Sequence, residues 1–365
     1  MKKIFIGIMT GTSVDAIDIA ALSIGQRDYK FLNAKSYQFP DNLRNKLLKI
    51  SRNEINKIDH QIRSLSDELG YLYARSVNAF IDESNIDKKS IHAIGMHGQT
   101  ISHNPDDDYP SSIQIGNGKI VAKETGFTIV NDFRTADILA GGQGAPLAPL
   151  FHNRFFGEAG KTKAVVNIGG IANISIFGDQ LIGYDIGPGN VLIDSWSREK
   201  RGVDFDDRGK WAETGRLNNK LLNHLMQEEF ILKKPPKSSG TDHFNIKWIK
   251  EKVIQISHQI SDEDVQRTLT EFTANVIANA INDHNDIDQV AVCGGGTMNT
   301  FLMSLIRENI QLKIVKTDLW GMNSEWVESA GFAYLAYLRV NDLLVDTSSI
   351  TGSSGMIKLG DIQKP

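Results

Sequence analysis

Asp185 is the residue whose setting most clearly indicates chemistry. It ends an apolar run, and Gly187, Gly189 and Asn190 follow it closely along the chain. Glycine lets the backbone take positive φ values and lets a ligand approach it closely. A second glycine turn, Gly169-Gly170, lies upstream in the same stretch. A carboxylate beside glycine-rich turns indicates a site for phosphate chemistry.

The elements that must position Asp185 follow from the alternation of apolar runs and turns over residues 164–194. A strand that begins at Val165, a second over Ile171–Phe177 and a third that ends on Asp185 are joined by tight turns. Residues 4–24 repeat this outline, with a strand over Ile4–Met9, a turn over Thr10–Ser13 and a strand over Asp15–Ile24. Two such copies, far apart in the chain, predict two domains of similar design.

Length and composition agree with two domains and narrow the class of protein. The chain has 365 residues, more than one hydrophobic core usually serves, and it is 41% hydrophobic and 23% charged, as in ordinary soluble proteins. The net charge of −4 disfavours a nucleic-acid partner, and no segment approaches the roughly 20 apolar residues of a membrane span. Cys293 is the only cysteine, which excludes disulfides within the chain and is consistent with a cytoplasmic location.

Hydrophobic periodicity predicts the other main elements. A long helix over Asn53–Glu83 repeats isoleucine and leucine at helical spacing, with Asn53 as its N-cap, and is interpreted as a packing helix. Ser261 and Asp264 resemble a capping box at the start of a helix over Ser261–Asn282. The remaining predictions are strands over Ile91–Met96, Phe127–Asn131 and Gln289–Cys293, and helices over Val191–Ser197, Asn299–Arg307 and Glu325–Val340.

A row of hydrogen-bonding side chains follows the predicted strand that ends at residue 96. His97, Gln99 and Thr100 offer the donors and acceptors that a hydroxyl-rich ligand requires. An alternative is a metal cluster of His92, His97 and His103, but their spacing matches no standard zinc pattern. We therefore favour ligand contacts over metal binding for these residues.

Two further segments have two interpretations each. Arg134 lies close to the glycine-rich bend at residues 140–147 and is either a salt-bridge partner or a clamp for an anionic group. The segment Lys234–Gly240 contains consecutive prolines and cannot be regular structure, so it is either a linker or a mobile loop over a phosphorylated ligand.

A third glycine turn, Gly294–Gly296, follows a predicted strand and precedes a helix, where a nucleotide can approach the backbone. The chain has no G-x-x-x-x-G-K-[ST] motif, no complete dinucleotide fingerprint and no G-x-S-x-G elbow. A P-loop enzyme, a Rossmann dehydrogenase and a serine hydrolase are therefore disfavoured. Three glycine turns at strand ends remain, at Thr10–Ser13, Gly169-Gly170 and Gly294–Gly296. By analogy, two hairpin turns with a third turn for the base indicate the layout of actin-like ATPases and sugar kinases.

Longer motifs make this layout specific. The segment Gly7–Asp18 resembles the G-x-M-S-G-T-S-x-D-G-x-D signature of the anhydro-N-acetylmuramic acid kinases. The resemblance extends in order through Gly95–Thr100, Asp132–Arg134, Gly141–Leu147, Asn167–Asn173, Asp185–Asn190, Pro235–Gly240 with Phe244-Asn245, Cys293–Gly296 with Asn299, and Val327-Glu328.

The resemblance implies an α/β protein with the two-domain actin-like ATPase fold, also described as ribonuclease H-like, in which mixed sheets are flanked by helices and a cleft separates the domains. Residues 1–130 with about 326–365 would form one domain, and residues 131–325 the other. It also implies a cytoplasmic homodimer that acts in cell-wall recycling.

The implied reaction is the ATP-dependent opening of 1,6-anhydro-N-acetylmuramic acid by water with phosphorylation of O6, which gives N-acetylmuramic acid 6-phosphate and ADP. Alternatives are a kinase of the same fold acting on another amino sugar, and an actin-like ATP-binding switch. The reaction needs a general base for water, and Asp185 matches the family's catalytic aspartate.

The resemblance also assigns the other residues of the site. The ATP phosphates would be bound by Gly11, Thr12, Ser13, Asp15, Asp18, Gly169 and Gly170, and the adenosine by Gly294, Gly295, Gly296 and Asn299. Sugar contacts would come from His97, Gln99, Thr100, Arg134 and Glu328. Mg²⁺ would be held mainly through ATP, with Asp15 or Asp18 contacting it through water.

Three residues depart from the family pattern. Thr10 replaces a usual serine but keeps its hydroxyl, and Ala16 replaces a glycine and is tolerable if its φ is negative. Ile186 replaces a common threonine beside Asp185, and we expect it to remove a hydrogen bond near the base.

Overall fold

The computed structural model describes residues 3–11, 13–26, 28–51, 59–240, 243–256 and 259–365. The chain divides into two compact units, one of Met1–Phe151 with Trp326–Pro365 and one of His152–Glu325. Asn53, the predicted N-cap of the long helix, and Thr12 lie outside the described residues.

The strands are, in chain order, β1 (Lys3–Thr10), β2 (Ala16–Ile24), β3 (Tyr29–Gln38), β4 (Ile91–Met96), β5 (Gln99–Asn104), β6 (Ser111–Ile115), β7 (Ile129–Asn131), β8 (Lys163–Ile168), β9 (Ile171–Phe177), β10 (Leu181–Pro188), β11 (Gln289–Cys293), β12 (Ile314–Lys316), β13 (Val345–Asp346), β14 (Met356–Ile357) and β15 (Asp361–Gln363).

The α-helices are α1 (Asp41–Ser51), α2 (Asp59–Glu83), α3 (Gly118–Thr125), α4 (Thr135–Leu139), α5 (Ala148–Phe156), α6 (Val191–Arg201), α7 (Lys210–Thr214), α8 (Asn219–Met226), α9 (Glu229–Leu232), α10 (Ile246–Ile254), α11 (Asp262–Asn282), α12 (Thr300–Glu308), α13 (Val327–Val340) and α14 (Ser348–Thr351). Within the described ranges, none of them is both long enough and apolar enough to span a bilayer.

The first unit is built on a six-stranded sheet in the order β15-β7-β4-β1-β2-β3. Neighbours β1, β2 and β3 are antiparallel, whereas β1, β4 and β7 are parallel. Helix α13 packs so closely on this sheet that a Cβ on Gly7 or Gly95 would collide with the backbone of Ser329 or Phe332. Leucines of α2 fill the core under the sheet, as the packing-helix interpretation predicted.

The second unit is built on a five-stranded sheet in the order β10-β9-β8-β11-β12. Its first three strands are antiparallel, and β8, β11 and β12 are parallel. Helix α11 lies in the core of this unit, and the side chain of Ser261 accepts a hydrogen bond from the N–H of Asp264, as the capping-box pattern predicted.

The two units share one topology. Numbered within each unit, the main-sheet strands follow the order 3-2-1-4-5, and the first unit adds β15 at its edge. The predicted α/β fold with two mixed sheets and the predicted repeat of strand, turn and strand are thereby confirmed.

One predicted boundary between the domains differs from the structure. The second boundary, between residues 325 and 326, coincides with the division between the units, but residues 131–151 belong to the first unit, not the second. Strand β7 pairs with β15, and the Asp137 carboxylate accepts hydrogen bonds from the hydroxyls of Thr347, at 2.6 Å, and Thr351, at 2.8 Å. These bonds tie the segment to the end of the chain.

Candidate active site

The backbone of the second unit holds Asp185 firmly. The residue lies in β10, is 6% exposed, and its N–H donates to the carbonyl of Lys237 at 3.0 Å. Its Oδ2 accepts a hydrogen bond from the N–H of Ser239 at 2.9 Å. The carboxylate is therefore oriented by a loop that lies far from it in sequence.

The strand is irregular at the next residue. The pairing of β10 with β9 shifts between Asp185 and Gly187, so Ile186 forms a β-bulge. Bulges redirect side chains and are common beside active sites. Ile186 is buried in the apolar core of the unit. In this chain, the Ile186 side chain therefore contributes apolar packing to that core.

The loop that orients Asp185 is anchored by a buried lysine. Lys237 is 4% exposed, and its Nζ donates to the carbonyls of Phe230, at 2.9 Å, and Ile231, at 3.2 Å. Burial lowers the pKa of Lys237 to about 8, although the charge of Asp185 acts in the opposite direction. Lys237 thus fixes the loop to the neighbouring helix, while Lys234 in the same segment is exposed to solvent.

The two glycine turns around Asp185 are bonded to each other. The N–H of Gly189 donates to the carbonyl of Gly170, and that of Asn190 to Gly169, both at 2.8 Å. A Cβ on Gly189 would collide with the carbonyl of Gly169. Both turns lie at the start of α6, where the helix dipole favours an anion.

The third glycine turn packs against the end of β8. Gly294 has a φ of 83°, and a Cβ there would meet the backbone of Ile168 at 2.8 Å. Gly295, in contrast, has open space around it. Asn299 caps α12, since its Oδ1 accepts from the N–H of Leu302 at 3.0 Å. The second unit therefore brings Gly169-Gly170 and Gly294–Gly296 to the ends of neighbouring strands.

In the first unit, the turn after β1 is fixed by its own polar contacts. The carbonyl of Gly11 accepts from the N–H of Val14, at 3.1 Å, and from Gln99 Nε2, at 3.2 Å. Val14 carries the positive φ, of 54°, and Ala16 is an ordinary strand residue, as its substitution for glycine requires. The turn leaves Ser13 exposed to solvent.

The hydroxyl of Thr10, which replaces the family's serine, also makes hydrogen bonds. It lies 2.8 Å from the hydroxyl of Tyr73 and donates to the carbonyl of Gly98 at 2.9 Å. The substitution thus retains a buried polar contact between β1 and the turn after β4.

The two predicted metal-associated acids differ in their surroundings. Asp15 has 67% of its side chain exposed and accepts a hydrogen bond from Arg44 at 3.2 Å. Asp18 accepts a hydrogen bond from the hydroxyl of Ser36 on β3. Exposed oxygen ligands suit a hydrated Mg²⁺ ion, so the chemistry of this turn fits the expected metal.

His97 and Arg134 meet at the end of β4. Arg134 Nη2 lies 3.0 Å from His97 Nε2, and its Nη1 donates to the carbonyl of Gly144 at 3.0 Å. Burial and the nearby guanidinium lower the pKa of His97 to about 3. Because the guanidinium can only donate, Nε2 of the neutral imidazole accepts and Nδ1 carries the proton.

The other predicted sugar contacts lie around this pair. Gln99 is fully buried, and no described group bonds its Oε1, while Thr100 Oγ1 accepts from Gln114 Nε2 at 3.3 Å. The ring of Phe332 on α13 lies 4.7 Å from that of His97. Glu328 precedes Phe332 by one helical turn and so occupies the same face of α13.

The histidines do not form a metal cluster. His92 Nε2 lies 3.0 Å from Lys3 Nζ, and His103 Nδ1 lies 2.9 Å from the hydroxyl of Ser112. In the part of the chain that the structure describes, no three His, Cys, Asp or Glu side chains could hold a metal ion together.

Three polar residues of these surroundings were not predicted as site residues. Asp137 organises the glycine-rich bend, since its Oδ2 accepts from the N–H of Gly144 at 2.7 Å. Lys237 anchors the loop on Asp185, and Asn173 lies directly opposite Asp185 in the sheet. Asn173 and Lys237 lie within motifs that the sequence singled out, but only the fold shows where they point.

We compared the chain with known protein families. A family model described as anhydro-N-acetylmuramic acid kinase matches residues 3–365. The chain belongs to the anhydro-N-acetylmuramic acid kinase family. The prediction of an enzyme that is a kinase is thereby confirmed, and neither alternative, a kinase of another amino sugar or an ATP-binding switch, is favoured.

Curated members of the anhydro-N-acetylmuramic acid kinase family align over nearly the whole chain. The protein of that name from Sulfurimonas denitrificans is 38% identical over 362 residues, covering 97% of each chain. That from Mannheimia succiniciproducens is 38% identical and covers 99% of each chain. That from Haemophilus influenzae is 37% identical, covering 98% of this chain and 97% of its own.

Proposed function

We propose that this chain opens 1,6-anhydro-N-acetylmuramic acid with water and phosphorylates O6 at the expense of ATP, giving N-acetylmuramic acid 6-phosphate and ADP in peptidoglycan recycling. Family membership supports the substrate. The observation that carries the mechanism is Asp185, a buried carboxylate held by Ser239 and by the Lys237 loop beside two linked glycine turns.

Asp185 acts as the general base. It takes a proton from water, the water oxygen bonds to C1 of the sugar, and the C1–O6 bond breaks. O6 then attacks the γ-phosphorus, and ADP leaves. A fixed base contributes to such a reaction because the water does not have to be oriented during the step. The bond from the Ser239 N–H keeps the carboxylate in one orientation.

The glycine turns bind the nucleotide. Gly11, Thr12 and Ser13, with Gly169 and Gly170, contact the phosphates, and Asp15 or Asp18 would hold a hydrated Mg²⁺ ion. Bound Mg²⁺ supplies positive charge that offsets the charge developing on the phosphates. The adenosine lies against the third turn, at Gly294, Gly295, Gly296 and Asn299.

The polar groups of the first unit bind the sugar. The neutral ring of His97, the amide of Gln99 and the hydroxyl of Thr100 suit the hydroxyl and amide groups of an amino sugar. Arg134 binds the carboxylate of the muramic acid side chain, for which a planar guanidinium is well suited. Glu328 accepts hydrogen bonds from sugar hydroxyls.

We also propose a cytoplasmic homodimer. The family resemblance supports the dimer, and the single cysteine, Cys293, is buried as a free thiol, which suits a reducing compartment.

Release of ADP in a coupled assay tests the activity. We expect release that depends on both the anhydro sugar and Mg²⁺, and a product that carries one phosphate on O6. Equal ADP release from N-acetylglucosamine would favour a kinase of another amino sugar. Thermal stabilisation by ATP without any amino-sugar-dependent ADP release would favour a switch.

A further inference from the structure

A row of polar residues crosses three strands of the second sheet. Asn173 on β9 pairs directly with Asp185 on β10 and with Asn167 on β8. Directly paired residues project from the same face of a sheet, with Cβ atoms roughly 4.5–5.5 Å apart. The side chain of Asn173 therefore lies beside that of Asp185.

This row faces away from the apolar core that lies under the opposite face of the sheet. The neighbours of Asn173 along β9, Ala172 and Ile174, both belong to that core. Because strand residues alternate between faces, Asn173 and Asp185 project to the other side. The next residue of β9 on that side, Ser175, lies 2.7 Å from the Nδ1 of a buried histidine, His152.

The amide oxygen of Asn173 has no such contact. It is buried, and it has no hydrogen-bond partner among the described residues. Leaving a buried acceptor unsatisfied costs about 1–3 kcal/mol, so such atoms are rare unless they have a partner at some stage of the protein's function. The position of this oxygen beside the base indicates what that partner is.

We propose that Asn173 is a catalytic residue that orients the attacking water together with Asp185. This proposal rests on the proposed function of Asp185 as the base. Water donates one O–H to the carboxylate of Asp185, and this proton is transferred to the carboxylate. It donates the other O–H to the amide oxygen of Asn173, and this second proton stays on the water oxygen. The water lone pair is then directed at C1, where the new C–O bond forms as C1–O6 breaks.

An amide suits this role better than an acid. It accepts a hydrogen bond but does not compete for the proton, and it adds no negative charge beside Asp185. A second carboxylate at this distance would disfavour ionisation of the pair. The charged group already coupled to Asp185 is Lys237 on the adjoining loop, and substitutions at residue 173 leave it in place.

The test compares Asn173→Ala, Asn173→Asp and Ser175→Ala with the wild type. We expect Asn173→Ala to lower kcat by about 100-fold, to leave the KM for ATP within about twofold and to leave Tm unchanged or raised, since it removes an unsatisfied group. Asn173→Asp should move the acid limb of the kcat/KM profile to higher pH. Ser175→Ala, which loses the contact with His152 on the same strand face, should lower Tm without lowering kcat.

The outcomes separate this inference from the proposed function. Full kcat in Asn173→Ala, with Asp185→Asn inactive, overturns the role of Asn173 alone. Full activity of Asp185→Asn overturns the base itself. If Asn173→Ala does not fold, Asn173→Asp decides, because an acid limb at the wild-type pH would show that residue 173 does not face the base.

Discussion

The two sheets of this protein have the same strand order but carry different kinds of functional groups at their ends. In the first unit, the fourth strand, β4, leads into His97, a side chain bonded to Arg134. In the second unit, the equivalent strand, β11, leads into Gly294–Gly296, where backbone replaces side chains. In the proposed function, one scaffold thus serves two tasks, with side chains of the first unit that bind the sugar and exposed backbone of the second unit that binds the adenosine.

The third strands differ in the same way. Strand β10 carries a buried acid, Asp185, next to a bulge, whereas the equivalent β3 is mostly exposed along its length. In the proposed function, the general base thus lies in the second unit, and the side chains that bind the sugar lie in the first. Each of the following substitutions tests that division.

The largest effect is expected for Asp185→Asn. The amide is nearly isosteric and can still accept the hydrogen bond from Ser239, but it cannot take a proton. Turnover should fall by at least about 10³-fold, while the Kd for ATP measured by calorimetry stays near the wild-type value. Turnover close to that of the wild type would show that Asp185 is not the general base.

Arg134→Lys tests recognition by the first unit. Lysine keeps the charge but loses the planar fork that reaches His97 and the carbonyl of Gly144 at once. We expect kcat/KM for the anhydro sugar to fall about 30-fold and the KM for ATP to remain unchanged. An equal loss for both substrates would show that Arg134 does not discriminate between them.

Gly294→Ala and Gly295→Ala form a matched pair on the third turn. At Gly294 a side chain meets β8 and the φ of 83° is unfavourable, so the free energy of unfolding should fall by about 2 kcal/mol. At Gly295 a methyl group has room, so stability should change by less than about 0.5 kcal/mol while the KM for ATP rises. Urea denaturation and initial rates measure the two effects, and similar stability losses at both positions would contradict this account of the turn.

A smaller effect is expected from two buried histidines, His97 in the first unit and His152 in the second. Burial lowers the pKa of both His97 and His152 to about 3. The folded state then binds fewer protons than the unfolded state between about pH 3 and 6.5, so stability falls as the pH is lowered through this window.

Replacing either histidine by glutamine should reduce the change in the free energy of unfolding with pH in this window, by up to about 1.4 kcal/mol per pH unit. Urea denaturation at several pH values measures it, and His60→Gln, at an exposed position, is the control. A slope that is unchanged in both variants would show that these imidazoles are protonated in the folded state.

Local patterns were enough to predict much of this structure. Short apolar runs predict strands β1 and β11. The N-cap at Ser261 is predicted because a serine stands three positions before an acidic residue, Asp264. Each of these signals lies within a few residues, where alternation and capping operate.

Contacts between distant residues account for what the sequence did not predict. Asp137 bonds Thr347 across 210 positions, which places residues 131–151 in the first unit against the prediction. The segment that contains Lys237 has the composition of a loop, and this composition does not indicate that Lys237 is buried against α9. The bulge at Ile186 and the pairing of Asn173 with Asp185 depend on strand register, which only the assembled sheet defines.

Oxygen-18 transfer tests the central claim, that the protein adds water to C1 as O6 is phosphorylated. The reaction is run in labelled water and quenched within seconds, because the C1 hydroxyl of a reducing sugar exchanges slowly with solvent. Unlabelled product held in the same water for the same time measures that exchange. We predict one ¹⁸O at C1 of every product molecule and none in its phosphate. Product that is phosphorylated on O6 without label at C1 would contradict the account.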